Sequence, residues 1–144
     1  MKRLTVLIAL VALAAAVLAV LPGCDAAPEE KAPLTFIQFY DPECPFCQKM
    51  EPIIEELRAE YEPKIEKFEI INVATEEGLA KAEEYGVFIT PTFFILDQDG
   101  EIIDKISGAT TKENMVDFVE YGISYVEGKD AEAPEIETEG GTQQ

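Results

Sequence analysis

The chain lacks histidine and tryptophan altogether, and it contains only three cysteines among its 144 residues. Without histidine a hydrolytic triad has no imidazole base, and no glycine-rich loop suited to phosphates is present, so neither hydrolysis nor nucleotide binding is indicated. Basic residues are scarce as well, since 11 Lys and Arg stand against 29 Asp and Glu and give a formal net charge of -18. This balance argues against nucleic acid as a partner, and most carboxylates should simply solvate the surface.

Two of the three cysteines lie together in Cys44-Pro45-Phe46-Cys47, and the third, Cys24, lies far upstream. A structural zinc site needs four ligands. The chain has no histidine and its third cysteine lies far upstream, which argues against a metal. A purely structural disulfide is an open alternative, but it would close a very small loop and stabilise little by chain entropy. The pair therefore favours redox chemistry, and we expect no cofactor beyond a redox-active disulfide between Cys44 and Cys47.

The position of the pair suggests a role for each thiol. It stands between an apolar run, Leu34–Tyr40, and an amphipathic helical pattern that begins at Gln48. A sulfur at the first turn of a helix lies among unpaired N–H groups, which favours the thiolate, so Cys44 is the candidate nucleophile. Cys47 lies one turn deeper on the same face and is the candidate resolving thiol. The carboxylates of Asp41 and Glu43 are expected to raise the pKa of Cys44.

Residues 1–23 have a short basic start and a long apolar run, the pattern of an export signal. The end of this segment, Leu21-Pro22-Gly23-Cys24, resembles the cleavage site of bacterial lipoprotein precursors, although Pro22 departs from the usual Ala or Ser. The resemblance implies lipidation of Cys24 and an extracytoplasmic protein anchored to the membrane by lipid. An uncleaved membrane anchor and plain secretion are alternatives, and both also place the domain outside the cytoplasm.

The rest of the chain predicts one α/β domain over residues 34–128, after a tether at 24–33 and before a disordered acidic tail at 129–144. Apolar spacing, caps and breaks predict strands at Leu34–Tyr40, Ile65–Val73, Pro91–Leu96 and Glu101–Ser107, and helices at Cys44–Tyr61, Thr75–Tyr85 and after a capping box of Thr110 with Glu113. In the second strand, the residues predicted to fill the core are Phe68, Ile70, Ile71 and Val73.

In this order of elements the chain resembles the thioredoxin superfamily. The residues that carry the resemblance are Cys44-Pro45-Phe46-Cys47, Pro52, Thr90-Pro91-Thr92, Asp99-Gly100 and Gly108. It implies a thioredoxin-like fold with a central mixed sheet of about four strands flanked by helices, without the leading strand and helix of full thioredoxins. It also implies a cis bond before Pro91, and a substrate platform formed by Thr90 and Pro91. Pro45 and Phe46, between the cysteines, are predicted to contact the substrate as well.

Two departures from thioredoxins bear on function. Glu43 stands where they carry tryptophan, and Gln38 occupies the position of their buried acid. An amide cannot accept and return a proton as a carboxylate can, so deprotonation of Cys47 should depend on water or on another group.

Together these features predict a membrane-anchored thiol–disulfide oxidoreductase outside the cytoplasm. We expect it to reduce disulfides of exported proteins and to be recharged by a membrane redox partner. The reverse reaction, oxidation of client thiols, is an open alternative, because the two residues between the cysteines do not fix the reduction potential. A binding or chaperone module with an inert disulfide and a glutaredoxin-like enzyme that uses glutathione are the alternatives.

Overall fold

The computed structural model describes residues 30–129 and 132–139. The predicted signal at 1–23, the lipidation site Cys24 and most of the tether lie outside the described residues. Within the described part, the helices are all too short or too polar to cross a membrane.

Strands and helices alternate along the described residues as β1 (Ala32–Tyr40), α1 (Pro45–Tyr61), β2 (Ile65–Asn72), α2 (Glu76–Glu84), β3 (Thr92–Leu96), β4 (Ile102–Ser107) and α3 (Lys112–Val126). The sheet has the strand order β2-β1-β3-β4. β1 pairs with β2 in parallel and with β3 antiparallel, and β3 and β4 form an antiparallel pair. The predicted α/β fold with a mixed four-stranded sheet is confirmed, and β1 begins two residues before its predicted start.

β1 has an almost continuous apolar sequence, which suits a strand whose two faces are both buried inside the sheet. On one face, Leu34 and Phe36 join the larger core cluster, in which they pack with side chains of α1 and α3. On the other face, Ile37 and Phe39 join a smaller cluster beside α2. Complete burial of each such side chain stabilises the fold by about 2 kcal/mol. The strand is therefore held from both sides, and its end at Tyr40 is a fixed starting point for the loop that carries the cysteines.

Ile70 is a correction to the predicted core. Its side chain is 38% exposed, whereas Phe68 and Ile71 on the same strand are buried. The reason is the strand order, because β2 forms an edge of the sheet and Ile70 lines an open cavity next to α1. The apolar sequence of β2 could not reveal which of its side chains the helix leaves uncovered.

The start of α3 also differs from its predicted capping box. Thr111 is the N-cap, and its hydroxyl accepts a hydrogen bond from the Asn114 N–H at 3.2 Å. The hydroxyl of Thr110 instead donates to the carbonyl of Glu137 at 2.7 Å. Thr110 is therefore an anchor for the C-terminal segment, and the cap lies one residue later.

Residues 132–139, called here the C-terminal segment, differ from the predicted disordered tail of 129–144. Ile136 is 8% exposed and belongs to the larger core cluster. Glu139 pairs through its backbone with Ala109, and its carboxylate forms an ion pair with Lys49 on α1. An acidic composition predicts a solvated tail. Burial of Ile136 and the backbone hydrogen bonds between Glu139 and Ala109 nevertheless hold this segment on the domain.

Candidate active site

A tight turn connects the end of β1 to the start of α1 and sets the position of the cysteines. The Cys44 N–H donates to the Asp41 carbonyl at 3.1 Å, and the Asp41 carboxylate accepts from the Glu43 N–H at 2.8 Å. Cys44 is the N-cap of α1 with extended backbone angles, and Pro45 follows at the first helical position. Proline suits that position because its missing N–H would have no partner within the helix. The Cys44 sulfur is thereby held at the positive end of α1.

The two thiols differ in exposure, as the sequence predicts. Cys44 is partly exposed, whereas Cys47 is 5% exposed, and both are free thiols. The Cys47 sulfur accepts a hydrogen bond from the Asp41 N–H at 3.5 Å. A reagent or a partner protein can therefore approach Cys44 directly, while Cys47 lies behind it.

The loop before β3 lies against Cys44. The Thr90–Pro91 peptide bond is cis, as the resemblance implies, and the Cys44 thiol donates to the Thr90 carbonyl at 3.3 Å. The Thr92 hydroxyl donates to the Ile89 carbonyl at 2.7 Å, which ties the two sides of the loop together. These contacts bring together residues that are 46 positions apart in the chain.

Gly108 supports the same loop from β4. Its N–H donates to the Pro91 carbonyl at 2.8 Å, and its φ of 103° lies in the region that favours glycine. The glycine therefore allows the chain to turn after β4 while its N–H still reaches the loop before β3.

The pKa of Cys44 lies below its ordinary value. Burial opposes ionisation and is the largest influence, but the backbone N–H groups of Cys47 and Phe46 and the side chains of Thr90 and Cys47 outweigh it through hydrogen bonds. The net shift is therefore opposite to the effect expected of Asp41 and Glu43, which are not among its main causes. Glu43 is exposed, and water weakens its charge at a distance, whereas the hydrogen bonds act in direct contact.

The pKa of Cys47 shifts in the opposite direction. Burial, together with a smaller influence of the Cys44 side chain, raises the pKa of Cys47 to about 11, although hydrogen bonds from the Asp41 N–H and the Thr90 side chain oppose the change. At neutral pH Cys47 is therefore a protonated thiol, and it must lose its proton before it can attack another sulfur.

An open cavity of about 550 Å³ lies behind the pair and is lined by Cys47, Gln38, Tyr40, Asp41, Pro42, Gln48, Glu51, Ile54, Glu55, Arg58 and Ile70. Gln38 is 4% exposed, so the position at which thioredoxins carry a buried acid is also buried in this chain. The sequence pattern does not reveal the cavity or its carboxylates, because they come from positions of α1 that face outward in the helical pattern.

Three exposed apolar side chains belong to the two chain segments that meet where Cys44 contacts Thr90. Phe46 is 41% exposed, Ile89 is 42% exposed and Phe88 is 95% exposed. Phe46 is among the predicted substrate contacts, but Phe88 and Ile89 were missed. The sequence feature that could have identified them is an apolar pair directly before Thr90. This pair lies outside a strand, since β3 begins only at Thr92. Among the described residues, no group of three or more Cys, Asp or Glu side chains is arranged to hold a metal ion.

Comparison with known proteins gives three related findings. The family model of the thioredoxin-like domain matches residues 24–123. Thioredoxin from Staphylococcus aureus is 31% identical over 84 residues, which cover 58% of this chain and 77% of that protein. Among solved structures, thioredoxin from Malassezia sympodialis superposes with a TM-score of 0.52 and 20% identity over 66% of this chain and 80% of that one. The last similarity concerns the fold alone.

Proposed function

The chain belongs to the thioredoxin-like domain family, and from that premise we propose that it is a membrane-anchored, extracytoplasmic thiol–disulfide oxidoreductase that reduces disulfides of exported proteins. One observation carries the proposal. The Cys44 sulfur is accessible, has a lowered pKa and lies 3.3 Å from the Thr90 carbonyl, while Cys47 waits behind it as a protonated thiol.

In the first step, the Cys44 thiolate attacks one sulfur of a disulfide in the client protein. The client's S–S bond breaks, a mixed disulfide forms at Cys44, and the released client thiolate takes a proton from solvent. The loop at Thr90 and Pro91 supports this step because an extended client segment can pair with its backbone beside the reacting sulfur. Phe46, Phe88 and Ile89 offer apolar contacts around the same point.

In the second step, Cys47 loses its proton and attacks the Cys44 sulfur. The bond between the two cysteines forms, the bond from Cys44 to the client breaks, and the second client thiolate leaves and is protonated. Two electrons have then passed from the pair to the client. A dithiol partner in the membrane must reduce the new Cys44–Cys47 disulfide before another cycle.

Insulin reduction tests this proposal with the full-length protein and dithiothreitol as the electron source. The unchanged protein should accelerate precipitation of the insulin B chain, and Cys44→Ser should reduce the rate to that of dithiothreitol alone. Cys47→Ser is the matched control, because this variant, reduced beforehand and mixed with insulin without dithiothreitol, should still attack insulin and accumulate a mixed disulfide at Cys44 that mass spectrometry detects. Equal activity of the unchanged protein and Cys44→Ser would contradict the proposal and favour a binding module.

A further inference from the structure

The cavity behind the cysteine pair places a protonated thiol near carboxylates. Cys47 lines it together with Gln38, Glu51 and Glu55. Because the cavity is open, water can enter and connect these groups to bulk solvent.

We propose that Glu51 is the proton acceptor for Cys47 and that Gln38 is a positioning residue that holds the connecting water. The inference rests on the proposed function, because thiol–disulfide exchange is what requires Cys47 to lose its proton. Under this proposal, Glu51 supplies the carboxylate that this chain lacks at position 38.

Gln38 favours bound water at this point. It is 4% exposed and lines the cavity. A buried amide needs partners for two donors and an acceptor, and water in the cavity can supply them. Gln38 can in turn orient that water between the Cys47 thiol and a carboxylate.

Glu51 is the carboxylate that α1 places nearest to Cys47. The two residues are four positions apart on the same helical face, where Cβ atoms are about 5–6 Å from each other. That separation suits transfer through one water molecule. Glu55 lies another turn along the helix, at an axial distance of about 12 Å from Cys47, which is too far for such a relay.

The titratable groups that line the cavity or contact Cys47 are Tyr40, Asp41, Cys44, Glu51, Glu55 and Arg58. The Asp41 carboxylate accepts a hydrogen bond from the Glu43 N–H at 2.8 Å, which holds this carboxylate in the turn before α1. Arg58 is held by Glu62 through two contacts of 3.1 Å. β2 contributes only the apolar side chain of Ile70 to the described lining. Of the carboxylates that α1 contributes to the cavity, Glu51 is the one nearest to Cys47 along the helix, and it is the proposed acceptor.

The Cys47 proton passes through water to the Glu51 carboxylate while the bond between Cys47 and Cys44 forms. The bond from Cys44 to the client sulfur breaks, and the client thiolate takes a proton from solvent. Glu51 then returns its proton to solvent through the open side of the cavity.

A stopped-flow experiment with the full-length protein separates the two thiols. Reduced protein in a Cys24→Ser background is mixed with one equivalent of dithiobis(nitrobenzoate). Attack by Cys44 releases the first coloured thiolate, and attack by Cys47 on the resulting mixed disulfide releases the second. Glu51→Gln should leave the first phase unchanged and slow the second about tenfold or more at neutral pH. Added formate, which can enter the open cavity, should restore the second phase.

Glu55→Gln is the matched control, since it removes the same charge from the same helix and cavity, and its second phase should stay unchanged. If Glu51 acted only through its charge, Glu51→Gln would stabilise the Cys47 thiolate and accelerate the second phase. An accelerated or unchanged second phase, or equal slowing by Glu55→Gln, would overturn the inference while leaving the proposed function intact. Loss of the first phase in the parent protein would instead overturn the proposed function and this inference with it.

Discussion

The two thiols of the motif are three residues apart on one helix, yet their pKa values shift in opposite directions. Cys44 sits at the exposed end of α1 and receives hydrogen bonds from N–H groups that the helix leaves unpaired. Cys47 faces the interior, where burial penalises its thiolate. One helix turn thus produces an attacking thiolate and a protonated thiol in reserve, which are the two states that sequential exchange requires.

Alkylation by iodoacetamide should reveal this difference. In a Cys24→Ser background, Cys47→Ser leaves Cys44 as the reporter, and Cys44→Ser leaves Cys47. The Cys44 rate should level off below the ordinary thiol pKa of 9.0, because its thiolate is already formed. The Cys47 rate should keep rising towards pH 11, because its raised pKa makes the thiolate about a hundredfold rarer than in an unshifted thiol at pH 7. Mass spectrometry measures both rates, and superimposable pH profiles would contradict the assignment.

At the scale of elements, the C-terminal segment acts as an additional piece of the core. It lies on the domain through Ile136, through the backbone pair of Glu139 with Ala109 and through the Thr110 hydroxyl. Ala109 directly follows Gly108, whose N–H binds the Pro91 carbonyl. The segment therefore braces the turn that supports the loop before β3.

Substitution of Ile136 tests this role. Ile136→Ala removes most of a buried side chain and should lower the free energy of unfolding by about 2 kcal/mol. Urea denaturation followed by circular dichroism measures the change. Glu135→Ala, an exposed neighbour in the same segment, is the control and should stay within about 0.5 kcal/mol of the unchanged protein. Identical unfolding midpoints for the two variants would show that the segment does not contribute to the core.

At the scale of the whole molecule, the proposed lipid anchor has to hold a strongly acidic domain near a membrane. Removal of residues 1–23 takes away Lys2 and Arg3 and no acid, which leaves a formal net charge of -20. Anionic headgroups would repel such a surface, so a lipid at Cys24 is the proposed means of attachment. Because β1 begins at Ala32, residues 25–31 can hold the domain at most about 25 Å from that lipid.

Metabolic labelling with palmitate tests the anchor. In a bacterial host that processes lipoproteins, the unchanged chain should incorporate label and lose residues 1–23, because Cys24 is the proposed acceptor at the cleavage site. Cys24→Ser should carry no label and retain the full mass of the precursor. An unlabelled, unprocessed product from both genes would instead favour the uncleaved membrane anchor.

Local patterns along the chain were sufficient for the order of strands and helices and for the placement of the cysteines. The apolar run of β1, the cap at Thr75 and the proline after Cys44 each act within a few residues, so their consequences can be predicted without the rest of the molecule. The resemblance to thioredoxins added the cis bond before Pro91. The role of Cys44 as nucleophile is a prediction, which the insulin and alkylation experiments test.

The sequence by itself determined the type and order of the elements and which thiol begins the helix, because hydrogen bonding and apolar spacing within an element are local. Only the tertiary structure decided that Thr90 contacts Cys44, that Ile70 is exposed and that Ile136 enters the core. It also decided the direction of the pKa shift at Cys44. Each of these depends on segments far apart in the chain meeting in space, and burial and hydrogen bonding at such contacts exist only once the sheet and helices have packed.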